Sequence, residues 1–376
     1  MRVLYFSERL TVHDRRFLTA YAMHGYETLY LRLLPATADL TECSLPHGVR
    51  EVAWASRPTD EPGNYLAPMP VDEHSWADAF ARTIAPLQPT FVHAGPLTTC
   101  TWIAALAGAA PLVAMSWGSD ALGELAEEPW LAERMRIALT SATLVQCDSD
   151  SVRERLVTGF GVPDASIVQF PWGIDTARFA PGPQRAGFRQ RRGWSKATIL
   201  LCVRSWEPIY GIDTVLRGFA LAVTHNRSLR LVLAGNGSLR PEIERFITDS
   251  GITDRVALIG HIANDDLAPY LRDADIYVSA SRSDGTSISL LEAMGVGLAA
   301  LVSNIPGNRS WIREGETGLL FPVDDAETLA EKIALLASQP QTRALLSSRA
   351  RALCLARSNW RLNTSRFFEV LERAFP

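Results

Sequence analysis

The stretch DIYVSASRSDGTSISLLEAMGVGLAALVSN at 275–304 reads as strand, turn, helix and strand. DIYVSAS (275–281) and LAALVSN (298–304) are short apolar runs of the kind buried in parallel sheets, and the segment after Ser287 carries a helix between them. This is a βαβ passage, and it predicts a parallel sheet. Its turn sets two carboxylates, Asp284 and Glu292, around the small hydroxyl residues Thr286, Ser287 and Ser289. A turn entering a helix here aims free backbone N–H groups, and the positive end of the helix dipole, at an anion. A carboxylate just before that end suits the hydroxyls of a sugar, and one inside the helix suits those of a ribose. Phosphate with polyols on both sides describes a nucleotide sugar and points to sugar transfer.

Working outward, short apolar runs alternate with longer amphipathic ones along most of the chain. The first half offers strands at RVLYF (2–6), ETLYLRL (27–33), FVHAG (91–95), PLVAMSWG (111–118), TLVQC (143–147) and IVQFPWG (167–173). Helices are expected at HDRRFLTAYAMHG (13–25), HSWADAFARTIAPL (74–87) and SDSVRERLVTGFG (149–161), the last with Ser149 and Asp150 as caps. At 176–196 the pattern stops. TARFAPGPQRAGFRQRRGWSK is rich in Pro, Gly and Arg and reads as a linker, with Arg185, Arg189, Arg191 and Arg192 as a solvated cluster. A second series follows with ATILLCVRS (197–205), LRLVLAGNG (229–237), RVALIGHI (255–262), DIYVSAS, LAALVSN and GLLFPV (318–323), then helices only. The expected fold is α/β: two doubly wound, Rossmann-like parallel-sheet domains facing a cleft at the carboxyl ends of their strands. The domains are set at 1–175, on the acceptor side, and 197–357, on the nucleotide-sugar side. A C-terminal helix at 358–376 is expected to pack back on the first.

With 376 residues, 47% hydrophobic and 21% charged, the chain has the composition of an ordinary soluble globular protein of two domains. A net charge of −4 argues against a nucleic-acid partner. Five scattered cysteines (Cys43, Cys100, Cys147, Cys202, Cys354) form neither a disulfide framework nor a zinc motif. The start MRVLYFSERL lacks a signal peptide's apolar region, and TWIAALAGAAPLVAM (101–115) is interrupted by Pro111 and falls short of the ~20 residues that span a bilayer. The expected location is cytoplasmic, at most peripheral at the inner membrane face. Lys196 and Lys332 are the only lysines.

Several segments, in order, resemble the retaining GT-B glycosyltransferases of the family-4 type, the glycosyl transferases group 1. They are VPDASIVQFPWGIDTARFAP (162–181), LLCVRSWEPIYGIDTVLRGFA (200–220), VLAGNGSL (232–239), RVALIGHI (255–262), the two-carboxylate segment, and GETGLLFPVDD (315–325). The resemblance implies transfer of a sugar from a nucleotide donor, UDP- or GDP-linked, to a glycan, lipid-linked or small-molecule acceptor. It implies retained configuration, no cofactor and no bound metal. Carried over, Asp284 holds donor-sugar hydroxyls with the backbone near Thr286 and Ser287, although the family usually has glutamate there. Glu292 holds the ribose, the amides of Ile288 and Ser289 the pyrophosphate, and Arg204 is the phosphate cation. A second family lysine, before Gly211, is here Tyr210, which donates a hydrogen bond but no charge. Arg282 and Arg309 are candidate substitutes. Gly235, Gly237 and His261 lie on loops that the resemblance places beside the nucleotide.

On the other side, His93 and Asp120 come near strand ends and are candidates to line the cleft, His93 with a catalytic role. His13 and Arg15, in SERLTVHDRR (7–16), either face the acceptor or cap the first helix. A non-catalytic transferase-like partner subunit and a GT-B nucleotide-sugar epimerase are the alternatives.

Overall fold

Buried apolar runs become the strands of two all-parallel sheets. The computed structural model describes residues 1–35, 44–59, 73–122, 128–184 and 187–376, so Cys43 and Arg185 lie outside the described residues. The first sheet holds β1 (Arg2–Ser7), β2 (Glu27–Arg32), β3 (Val49–Val52), β4 (Phe91–Gly95), β5 (Leu112–Met115), β6 (Leu144–Cys147) and β7 (Ile167–Gln169). Its order is β3-β2-β1-β4-β5-β6-β7. The second holds β8 (Thr198–Cys202), β9 (Leu229–Ala234), β10 (Val256–Gly260), β11 (Ile276–Ser279), β12 (Ala299–Ser303) and β13 (Leu319–Phe321), in the order β10-β9-β8-β11-β12-β13. Each sheet reverses its winding at a central pair, β1/β4 and β8/β11, and crevices open at such switch points.

The two sheets belong to separate compact units, Met1–Pro171 with Thr364–Pro376, and Trp172–Asn363. In the second, alternate residues of β8 feed opposite cores. Ile199 and Leu201 pack with Leu290, Leu291 and Met294, whereas Leu200 and Cys202 pack with Ile212, Val215 and Phe219. The segment expected as a linker, 176–196, is corrected here. Its described residues are part of this unit, because Phe179, Phe188 and Trp194 are buried in its core. Three large side chains outweigh the Pro, Gly and Arg that surround them.

In the first unit, the Val12–Met23 helix starts at Thr11, whose side chain accepts from the Asp14 N–H while Asp14 reaches back to the Thr11 N–H. The Asp150–Phe160 helix is capped by the Ser149 hydroxyl and stopped by Gly161 at φ 68°. The tail from Thr364 completes this unit's core with Phe367, Phe368, Leu371 and Phe375, all buried.

Candidate active site

Two loops leave the carboxyl ends of the central pair β8 and β11, and the site is built on them. The first carries Arg204, two residues beyond the end of β8. The second runs from Ser281 into the Ile288–Val296 helix. One Arg204 terminal nitrogen donates to Ser287 Oγ at 2.9 Å and Ser289 Oγ at 3.4 Å, and the other to Asp284 Oδ2 at 2.7 Å. The side chain is only 11% exposed, and its Nε is buried without a hydrogen-bond partner. Burial acts to lower the guanidinium pKa, but Asp284 foremost, with Tyr210 and Tyr277, outweighs it and the net shift is upward. The cation is therefore secure at any working pH.

Ser287 occupies the cap position of the Ile288–Val296 helix, yet its hydroxyl makes no capping bond. The first-turn amides, beginning at Ile288 and Ser289, thus lack a side-chain acceptor, and with Arg204 beside them they form an anion-binding surface. Tyr277 on β11 hydrogen bonds Ser289 Oγ at 2.7 Å and fixes this hydroxyl cluster from below. Thr286 and Ser287 are buried, while Asp284 is partly open.

Glu292, one turn into the helix, is 4% exposed and accepts from Asn264 Nδ2 at 3.0 Å. Asn264 is held in turn by Arg178, which donates to its backbone carbonyl at 2.7 Å and also to its side-chain oxygen. Neither Asn264 nor Arg178 was expected at the site. Asn264 closely follows Gly260-His261-Ile262 in the loop after β10, and that proximity was its only signal. His261 is exposed on this loop, beyond Gly260 at φ 70°.

Gly235 and Gly237 pack against the loop that carries Arg204. A Cβ on Gly235 would lie 2.3 Å from the Arg204 carbonyl oxygen, and one on Gly237 2.4 Å from that of Trp206. Trp206 N–H also donates to the Asn236 carbonyl, and Leu239 N–H to the Trp206 carbonyl. These glycines seat the Arg204 loop. The candidate substitute cations are engaged elsewhere: Arg282 pairs with Asp213 and Asp324, and exposed Arg309 bonds Asn304.

In the first unit three expectations change. His93 sits within β4, wholly buried, with Nδ1 at 2.9 Å from the Tyr21 hydroxyl and the rings of Tyr5, Phe17 and Phe367 around it. Burial lowers its pKa to about 3. It is a neutral core residue, not a catalytic one. Asp120, 2% exposed, accepts from the Leu97 N–H, the Trp117 N–H and Ser116 Oγ, so it ties the loops after β4 and β5 together rather than lining a surface. Burial raises its pKa against those hydrogen bonds. His13 and Arg15 are half-buried on the first turn of the Val12–Met23 helix, whose cap is Thr11. A buried carboxylate that sequence reading passed over, Glu8, accepts from Thr99 Oγ1 at 2.8 Å at the β1/β4 switch point.

Residues 184–353 match the model of the family described as Glycosyl transferases group 1. The matched residues all lie in the second unit, which is similar to that family. The chain is 26% identical over 289 residues to the GDP-mannose-dependent alpha-(1-6)-phosphatidylinositol monomannoside mannosyltransferase of Mycolicibacterium smegmatis, covering 75% of each chain. It is 28% identical over 228 residues to the D-inositol 3-phosphate glycosyltransferase of Thermobispora bispora, covering 58% of this chain and 53% of that one. Among solved structures, Anabaena Alr3699/HepE in complex with UDP and glucose superposes with a TM-score of 0.80 at 16% identity over 99% of both chains. Sucrose-phosphate synthase from Thermosynechococcus elongatus gives 0.80 at 18% identity over 100% of this chain and 99% of that one. The fold of the chain is that of GT-B proteins. No helix among its described residues is long and apolar enough to cross a membrane.

Proposed function

We propose that the protein is a glycosyltransferase that moves a sugar from a nucleoside-diphosphate sugar, UDP- or GDP-linked, to a glycan, lipid-linked or small-molecule acceptor, with retention of configuration. The observation that carries this is the Arg204 guanidinium set beside an uncapped helix start, with Asp284 on one side and Glu292 a turn inside. Pyrophosphate fits the cation and amides, the donor sugar fits Asp284, and the ribose fits Glu292. The names of the relatives, one of them GDP-mannose-dependent, support the same class of donor. In the reaction, the bond from the anomeric carbon to the phosphate oxygen breaks and one to the acceptor oxygen forms on the same face. The acceptor proton passes to the leaving phosphate. The protein positions both partners and stabilises the departing diphosphate through Arg204 and the amides of Ile288 and Ser289.

A thermal-shift screen against UDP-, GDP-, TDP- and ADP-sugars identifies the donor, because a ligand that binds only the folded state raises the apparent melting temperature. Arg204→Ala should then reduce transfer by roughly two to three decades while the fold persists. Near wild-type turnover in that variant would place the phosphate elsewhere. NMR of the product's anomeric proton reads retention directly. Transfer should also persist in EDTA, since no group of three or more His, Cys, Asp or Glu among the described residues is placed to hold a metal ion. Loss on chelation, restored by manganese or magnesium, would overturn that part.

A further inference from the structure

Tyr210 stands where the resembling family places a lysine, and its surroundings show what it does instead. Its ring centroid lies 4.2 Å from Arg204 Cζ, so the ring stacks on the guanidinium whose N–H edge faces Ser287, Ser289 and Asp284. Arginine stacks well on an aromatic face, because its flat, weakly hydrated cation matches the ring's negative π surface. The ring is itself held. Tyr210 ends the short Pro208–Tyr210 turn, and Gly211 follows at φ 60°, where a Cβ would lie 2.2 Å from the Ala280 carbonyl oxygen. Only glycine lets the turn sit so close to the end of β11. From that strand's loop, Arg282 donates its backbone N–H to the Ile209 carbonyl at 2.8 Å and its guanidinium to the Pro208 carbonyl. The same guanidinium is anchored on Asp213 and Asp324. Arg282 therefore serves the turn and not the phosphate.

We infer that Tyr210 is a positioning residue: with its turn pinned by Arg282 and Gly211, its ring fixes the Arg204 guanidinium in the plane that meets the donor's pyrophosphate. The role belongs to the ring and not to the hydroxyl, and it rests on the donor-site assignment proposed above.

The test compares Tyr210→Leu, Tyr210→Phe and Arg204→Ala. UDP and GDP binding are measured by calorimetry, donor kcat and KM at saturating acceptor, and folding by thermal melting. Tyr210→Leu should lower kcat/KM about tenfold and weaken binding of whichever diphosphate the wild type takes. Tyr210→Phe should recover most of that loss, which a hydroxyl-donor role does not allow. Equal damage in the Leu and Phe variants would overturn the inference, as would a Leu variant like wild type alongside a crippled Arg204→Ala. An Arg204→Ala enzyme that keeps its activity would instead sink the donor-site assignment itself. If Tyr210→Leu fails to fold, Tyr210→Trp against Tyr210→Met makes the same comparison of ring with no ring.

Discussion

Asp284 and Glu292 are eight positions apart and chemically alike, yet their settings differ. Asp284 is partly open and bonded to a cation, and Glu292 is buried and bonded to an amide. A contact to the donor sugar tightens as the glycosidic bond breaks, whereas one to the ribose is the same before and during reaction. Asp284→Ala should therefore lower kcat, by about one to two decades, more than it changes diphosphate affinity. Glu292→Ala should weaken UDP or GDP binding about tenfold or more, the worth of a hydrogen bond to a charged group, with a smaller effect on kcat. Steady-state kinetics and calorimetry on both variants check this, and identical profiles would refute the division. His93 gives a residue-level consequence of a different kind. Its folded pKa of about 3 lies below the ~6.5 of an exposed histidine. The unfolded chain thus binds the extra proton between those values. The stability from keeping His93 neutral is full above about pH 6.5 and falls by about 1.4 kcal/mol per unit as pH drops toward 3. Hydrogen exchange of β4 amides at pH 7 and pH 5 should show the loss. The double variant His93→Leu, Tyr21→Phe, which removes both hydrogen-bond partners together, should lack it.

At the scale of elements, legibility followed the number of buried faces. Strands covered on both sides, such as LLC in β8 or IYV in β11, are apolar runs that declare themselves. VREV in β3 does not, because this edge strand is exposed or half-exposed along its length and carries two charged residues. The Pro129–Ser141 helix was missed as well, its buried side including Arg134, a residue that reads as surface. The acids, Arg204 and the helix start were legible since each breaks an apolar context. Asn264 and Tyr277 were not, as an asparagine in a loop and a tyrosine in a strand look ordinary until folding brings them to Glu292 and Ser289. Gly235-Asn236-Gly237 was legible as a turn but not as a support. Because a Cβ on Gly237 meets the Trp206 carbonyl, Gly237→Ala must push back the loop that carries Arg204. Displacements of about 1 Å can reduce rates by about two decades. Gly237→Ala should lower kcat/KM by tenfold or more with thermal stability changed far less, and a wild-type kcat/KM would show that the loop absorbs the methyl.

Across the whole molecule, the chain does not divide where its sequence halves do. The Trp360–Ala374 helix begins within the second unit, and from Thr364 onward its residues belong to the first. Phe367 packs against the rings of His93 and Phe170, Phe368 packs edge-on to Tyr21 and stacks on His24, and Phe375 lies 4.9 Å from Phe91 between ring centroids. Full burial of each such side chain is worth about 1.5–3 kcal/mol, so Phe367, Phe368, Leu371 and Phe375 together supply about 6–12 kcal/mol as an upper figure. That is comparable with the ~5–15 kcal/mol net stability of a typical domain. A chain ending at Asn363 should therefore lose the cooperative fold of its first unit. The second unit contains Arg204, Asp284 and Glu292 with Ser287, Ser289 and Asn264, and should still bind UDP or GDP. The expected result is loss of hydrogen-exchange protection in β1, β2 and β4 to β6, preserved protection in β8 to β12, abolished transfer, and diphosphate affinity within a few-fold of the full chain. Protection in β4 that survives the truncation would show that the aromatic tail only covers a core already complete without it.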